Sequence, residues 1–283
     1  VPELPEVETI RRGVQRRCAG ATVVAASVHR AGFVRGPRDD ASLLVGETIA
    51  RAHRHGKQFA LETTGGRSLI FHMGMSGSLS FHEPGARRAT HVHVHWVLRR
   101  RGRLFELHHR DPRRFGSLVT GLTWSRVTSD AWRGLGPDAL VISVADLARA
   151  LRQRTACVKS VLLDQAVIAG VGNIYADEAL FRSGIHPLRP ACDIKDAEVE
   201  RLAQSIRMIL KEAIESGGST VRDYLNTLGK KGGYQHDHLV YGRGSLPCVC
   251  CGTSLERIVC QQRTTVFCRL CQPRKPTRRT KTP

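Results

Sequence analysis

The stretch TACVKSVLLDQAVIAGVGNIYADEAL, residues 155–180, decides how the chain is organised. Its first half reads as helix, Gly170 and Gly172 interrupt it, and a second helix is expected to open at Asn173. Asparagine is a good N-cap, and the N–H groups of a first helical turn lack partners inside the helix, so helix, two turns, helix makes an anion site. In a neutral protein a capped helix would explain the pattern without a ligand. Here Lys and Arg number 44 against 25 Asp and Glu, a formal charge of +19, and the pI is near 10.4. That excess turns the unit towards phosphate and puts nucleic acid first among partners.

Downstream, Val199, Leu202, Ile206, Leu210 and Ala213 repeat at helical spacing, and Gly217 and Gly218 supply the stop. The glycine-rich, basic segment GKKGGYQHDHLVYGRG (229–244) reads as a loop. After Pro247, six of the nine cysteines crowd together, which argues for metal chemistry rather than a secreted disulfide framework. Cys248-x2-Cys251 and Cys268-x2-Cys271 offer four thiolates to a tetrahedral Zn2+. Cys250 is a second thiol beside Cys251, but the x2 spacing and the following Gly252 favour Cys251. A four-cysteine site is closed, so this zinc is expected to be structural, holding a hairpin with Arg257 and Arg263 towards phosphate. Cys18, Cys157, Cys192 and Cys260 read as small packing residues. The tail PRKPTRRTKTP (273–283) has no apolar residue to bury and is expected to be disordered.

Upstream the pattern turns to short β-rich runs, among them ATVVAASVH (21–29), QFALETT (58–64), SLIFHM (68–73) and HVHVHWVL (91–98), as in an antiparallel sandwich. His91, His93 and His95 at period two would share one strand face, but no carboxylate stands among them and a metal there is not expected. The segment 120–145, with WRGLGPDAL, reads as a linker. Near the start, Val7, Ile10 and Val14 mark a helix from Pro5 to Arg17. No window approaches the ~18 apolar residues of a spanning helix. Glu3, Glu6 and Glu8 and the lack of an apolar run exclude a signal peptide from the first 20 residues, so a cytoplasmic protein is expected; it is expected to be a monomer associated with the nucleoid.

Together PELPEVET (2–9), Lys57, HMGMSGSL (72–79), DPRRFG (111–116), GVGNIYADEALF (170–181), SGIHP (183–187), VYGR (240–243) and the four-cysteine finger resemble bacterial formamidopyrimidine-DNA glycosylase. The likeness runs from residue 2 to 272 in the family's order. The endonuclease VIII branch is similar, but Leu4 and HMGMSGSL favour the purine-directed enzyme. The resemblance implies an α+β protein: an N-terminal helix-flanked antiparallel β-sandwich, a helical helix-two-turn-helix domain, and a zinc-ribbon hairpin. The expected segments are 2–135 for catalysis, 136–228 for the helix-two-turn-helix domain, 229–244 for lesion recognition, 245–273 for the finger and 274–283 for the tail. Double-stranded DNA with oxidised bases or abasic sites would lie in the basic cleft between the domains.

Roles follow from the same resemblance. Pro2, as the mature N-terminus, is the nucleophile, Glu3 the acid/base and Lys57 the essential lysine beside the lesion. Glu6 reads as a positioning carboxylate. Met75, Arg113 and Phe115 fill the space of an extruded base, and Asn173, Arg263 and Lys159 clamp phosphate. Residues 230–234 match the lid over the flipped base. Val1 is expected to represent an initiator that is removed, since a retained Val1 would block the amine. The implied activity is excision of 8-oxoguanine and formamidopyrimidines through a proline Schiff base, followed by β,δ-elimination. The alternatives are an endonuclease VIII-like enzyme for oxidised pyrimidines and, with Val1 retained, a noncatalytic damage-binding protein.

Overall fold

The computed structural model describes residues 2–221 and 224–274. Val1 and the tail from residue 275 lie outside the described residues, and so do the expectations placed on them. Two compact units form: Val1–Gly134 with Ala213–Gln235, and Leu135–Glu212 with His236 onward.

The first unit opens with α1 (Leu4–Cys18), whose Pro5 sits in the first turn and whose Val7, Ile10 and Val14 are buried. It packs against β3 (Ile49–His55) and β4 (Gln58–Thr63). These two strands, with β2 (Val34–Arg35), β5 (Arg67–His72) and β9 (Ser117–Thr123), form a five-stranded sheet ordered β2-β9-β5-β4-β3. A second sheet runs β1-β7-β8-β6, from β1 (Thr22–Val28), β6 (Ser78–His82), β7 (Val92–Arg100) and β8 (Arg103–Arg110). Phe59, Phe71, Leu79, Trp96 and Leu107 are among the apolar side chains that fill the core of this sandwich. The sandwich is antiparallel except for the two-residue β2, which pairs parallel with β9.

Two details depart from the sequence reading. The register of β7 slips between Val92 and Val94, so His93 turns inward and packs on Phe33 while His95 meets His29. The three histidines therefore do not share a face. In the expected linker, β9 continues to Thr123 and is followed by a short helix α2 (Trp124–Arg126).

In the second unit, α3 (Val144–Arg152) is capped by Ser143, whose hydroxyl accepts the Asp146 N–H at 3.0 Å. Helices α4 (Val158–Leu163) and α5 (Asn173–Arg182) are the expected pair around the glycine turns. The N-cap of α5 is Gly172, so Asn173 is its first helical residue rather than the cap. α6 (Asp196–Glu215) buries the stripe Val199, Leu202, Ile206, Leu210 and Ala213 and ends before Gly217 and Gly218. Both glycines have positive φ, a left-handed conformation that suits a helix stop. The finger is a hairpin of β10 (Glu256–Cys260) and β11 (Arg263–Phe267).

Candidate active site and metal centre

In the first unit a cavity of about 240 Å3 is lined by Pro2, Lys57, His72, Gly74, Met75 and Phe115. Four of these are sequence-predicted site residues brought together from four separate stretches of chain. Lys57 lies in the two-residue turn that joins β3 to β4. Phe115 is 57% exposed, unusual for a phenylalanine, and Arg113 lies over its ring at 5.2 Å from the centroid.

The loops that carry Met75 and Phe115 are held by residues that sequence reading left without a role. Asp111 is fully buried. One of its carboxylate oxygens accepts the Ser76 hydroxyl, and the other accepts the Gly116 N–H at 2.7 Å. The Ser76 oxygen in turn accepts the Arg113 N–H at 3.0 Å. Gly74, at φ +60, lets the two loops touch, because a Cβ there would overlap the backbone of Phe115 and Gly116. A buried carboxylate with two donors fixes both loops at once. His72 is kept below its ordinary range by burial and by the charges of Arg35 and Lys57, so it is neutral near pH 7.

The N-terminal segment is fixed from the other side by Glu6, which is 1% exposed. Glu3 and Glu6 form a reciprocal capping box, with the Glu3 N–H donating to the Glu6 carboxylate at 2.8 Å. The other Glu6 oxygen accepts the Ser219 N–H at 2.7 Å. Gly218 leaves room for this carboxylate, which a Cβ would crowd. One side chain therefore joins the chain start to the segment that leads into residues 229–235. That segment is braced by the Thr220 hydroxyl, which accepts the Gly232 N–H at 2.8 Å.

In the second unit Asn173 donates through Nδ2 to the Thr264 carbonyl at 3.0 Å, beside exposed Arg263, so these two predicted phosphate ligands are neighbours. Lys159 differs from its expectation. It is fully buried, ion-paired with Asp177, and donates to Thr265 Oγ1 at 2.7 Å. An enclosed ammonium does not reach a phosphate; this one ties α4 to β11. Burial pushes Asp177 up to about 7 despite the opposing pull of Lys159 and the Val266 N–H. Its neighbour Glu178, also buried, accepts the N–H groups of Leu239, Val240 and Tyr241 at 2.7–3.0 Å and so fixes the start of VYGR.

The ligand sulfurs of Cys248, Cys251, Cys268 and Cys271 all lie within 4.8 Å of one another. The Cys248–Cys271 and Cys251–Cys268 pairs are 3.8 and 3.5 Å apart. Thiolates at about 2.3 Å from a tetrahedral ion stand roughly 3.8 Å apart, so the four could hold a metal ion. Cys250 is exposed and stands outside the cluster.

Residues 1–118 match the formamidopyrimidine-DNA glycosylase N-terminal domain family, and residues 134–224 the formamidopyrimidine-DNA glycosylase H2TH domain family. The chain is 42% identical to the formamidopyrimidine-DNA glycosylase of Marinobacter nauticus, covering 96% of this chain and all of that one. It is 40% identical to that of Gluconobacter oxydans over the same shares. Among solved structures, the MutM (Fpg) protein of Thermus thermophilus superposes with a TM-score of 0.84 at 38% identity, covering 97% of this chain and all of that one. A variant of the Lactococcus lactis Fpg bound to Fapy-dG-containing DNA gives 0.89 at 30%, covering 96% of this chain and all of that one. With this likeness spanning nearly its whole length, the chain belongs to the formamidopyrimidine-DNA glycosylase family.

Proposed function

We propose that the chain excises oxidised purines, 8-oxoguanine and formamidopyrimidines, from duplex DNA and then cuts the strand as an AP lyase by β,δ-elimination, with Pro2 as nucleophile. The cavity that Pro2 shares with Lys57, Met75 and Phe115 carries this reading. A terminal proline offers a secondary amine. Attack on C1′ breaks the glycosidic bond, and the adduct collapses to an iminium that has no N–H proton to lose. Loss of a C2′ proton feeds electrons into that iminium and expels the 3′ phosphate, and a second elimination expels the 5′ phosphate. An α-amine with a pKa near ~8 keeps a usable neutral fraction at physiological pH.

Glu3, adjacent to the nucleophile, moves protons around the sugar. The Lys57 ammonium, lining the same cavity, binds the phosphate beside the lesion. Met75 and Phe115 fill the space that the extruded nucleotide leaves, and Arg113 offers N–H donors to the orphaned base, favouring lesions opposite cytosine. Asn173 and Arg263 bind phosphate. The four cysteines would hold one Zn2+, whose chemistry is to close the finger and keep Arg263 in place. Lys159, being enclosed, positions the finger instead of touching DNA.

Borohydride trapping tests the reading on duplexes that carry 8-oxoguanine opposite each of the four bases. A covalent adduct mapped to Pro2, with the highest yield opposite cytosine, is expected. A Lactococcus lactis relative has been solved with DNA containing an oxidised pyrimidine, so a pyrimidine-lesion duplex is the comparison arm. An adduct on that duplex alone would mean an endonuclease VIII-like enzyme, and no adduct on either a binding protein. Intact-protein mass spectrometry belongs to the same test, because the amine exists only when residue 1 is gone.

A further inference from the structure

Two cysteines outside the metal cluster meet across 103 positions of sequence. Cys157, immediately before α4, and Cys260, the last residue of β10, place their sulfurs 3.2 Å apart. Cys260 is a buried residue and Cys157 a partly exposed one. The Cys157 sulfur also lies 3.1 Å from the Ser160 hydroxyl. Burial tends to raise the Cys157 thiol, but hydrogen bonds to Ser160, the Cys260 thiol and the Lys159 charge outweigh it and hold Cys157 below the ordinary range. Burial and the neighbouring Cys157 push Cys260 the other way. Of the two, Cys157 is thus the thiol that ionises more readily.

We infer that Cys157 and Cys260 are a peroxide-responsive pair that closes to a disulfide, joining the start of α4 to the tip of the β10–β11 hairpin. The Cys157 thiolate attacks one oxygen of a hydroperoxide, the O–O bond breaks, and the departing hydroxide or alkoxide takes a proton. The Cys157 sulfenic acid that results is attacked by the Cys260 sulfur. The S–O bond breaks and the oxygen leaves as water with the Cys260 proton. In sum two thiols are oxidised, one peroxide is reduced, and with hydrogen peroxide two waters form.

The position of the pair gives the bond a consequence. Cys260 faces Arg263 in the hairpin register, across the turn at Gln261 and Gln262. The metal cysteines flank the other end of the same hairpin. Peroxide that attacks the metal thiolates would free that end, and the disulfide retains the tip beside Asn173 and Lys159. The inference does not depend on the lesion or the nucleophile, since it concerns only these two thiols.

The test uses the full, zinc-loaded protein and graded hydrogen peroxide, followed by alkylation, digestion without reductant and mass spectrometry. A Cys157–Cys260 linked peptide is expected at doses below those that release zinc to a chromogenic chelator, and dithiothreitol should reverse it. With Cys260→Ser the link should vanish, and a dimedone-reactive sulfenic acid should persist at Cys157. Recovery of both cysteines alkylated at doses that release zinc would overturn the inference. So would a link from Cys157 to any other cysteine. The wild-type peptide map decides the matter even where the variant folds poorly.

Discussion

Lys159 carries the clearest revision at the level of single residues. The family resemblance implies a phosphate-clamping role for Lys159. Whether its ammonium is exposed depends on β11, more than a hundred positions away, and local sequence does not encode that. The structure instead gives the ammonium a buried carboxylate and a buried hydroxyl. Two substitutions separate the roles. Lys159→Met leaves Asp177 buried without its cation and should cost about 3 kcal/mol or more in unfolding free energy, while the slope of log DNA affinity against log salt stays unchanged. Arg263→Ala should barely alter stability and lower that slope by about one unit. A salt titration of both variants beside urea unfolding checks the pair, and a reduced slope for Lys159→Met would restore Lys159 to the phosphate set.

Between elements, the candidate site depends on how two turns are fastened. Met75 and Phe115 were legible because HMGMSGSL and DPRRFG are specific strings, and the cysteine spacing made the finger legible in the same way. Asp111 and Ser76 were not, because their roles exist only once residues 35 positions apart are adjacent. The bulge in β7 escaped for a related reason: its register is set by pairing with β8, and strict alternation through HVHVH misassigns His93. Gly74 allows a direct test of the fastening. Gly74→Ala forces a Cβ into the backbone of Phe115 and Gly116 at a positive φ. The loops must separate, so the trapping yield with lesion DNA should fall at least tenfold. Affinity for undamaged duplex, which rests largely on phosphate contacts, should change less than about threefold. Equal losses in both assays would show that the turn supports general folding and not the arrangement at the cavity.

At the scale of the whole molecule, the two compact units differ in how acid loads them. In the first unit the resolved shifts of the histidines and carboxyls, the groups that titrate in the acid range, are all downward. His109 is fully enclosed, edge-on to Phe33 and tilted against Phe71, and burial takes it down to about 3. His29, His72, His82 and His95 are lowered too, chiefly by burial. A histidine whose folded pKa is depressed leaves the unfolded chain binding more protons below about 6.5, so stability falls as pH drops from there towards the folded value. Glu8, taken to about 2 against burial by Arg11, Arg12 and Arg54, adds a loss between 4.5 and 2. In the second unit His186 and His238 follow the same rule. Asp177 and Glu178, raised by burial, oppose them. A carboxyl with a raised folded pKa costs stability as pH rises, so acidification from 7 towards 4 returns what the two histidines lose. Hydrogen exchange between pH 7 and 4.5, corrected for intrinsic rates, should show protection declining in β5, β7 and β8 while α5 and β11 hold. His109→Phe, which removes two buried nitrogens without hydrogen-bond partners among the described residues, should flatten the decline by up to about 1.4 kcal/mol per pH unit. A parallel fall in both units, unaffected by that substitution, would place acid sensitivity in net charge repulsion instead of these buried groups.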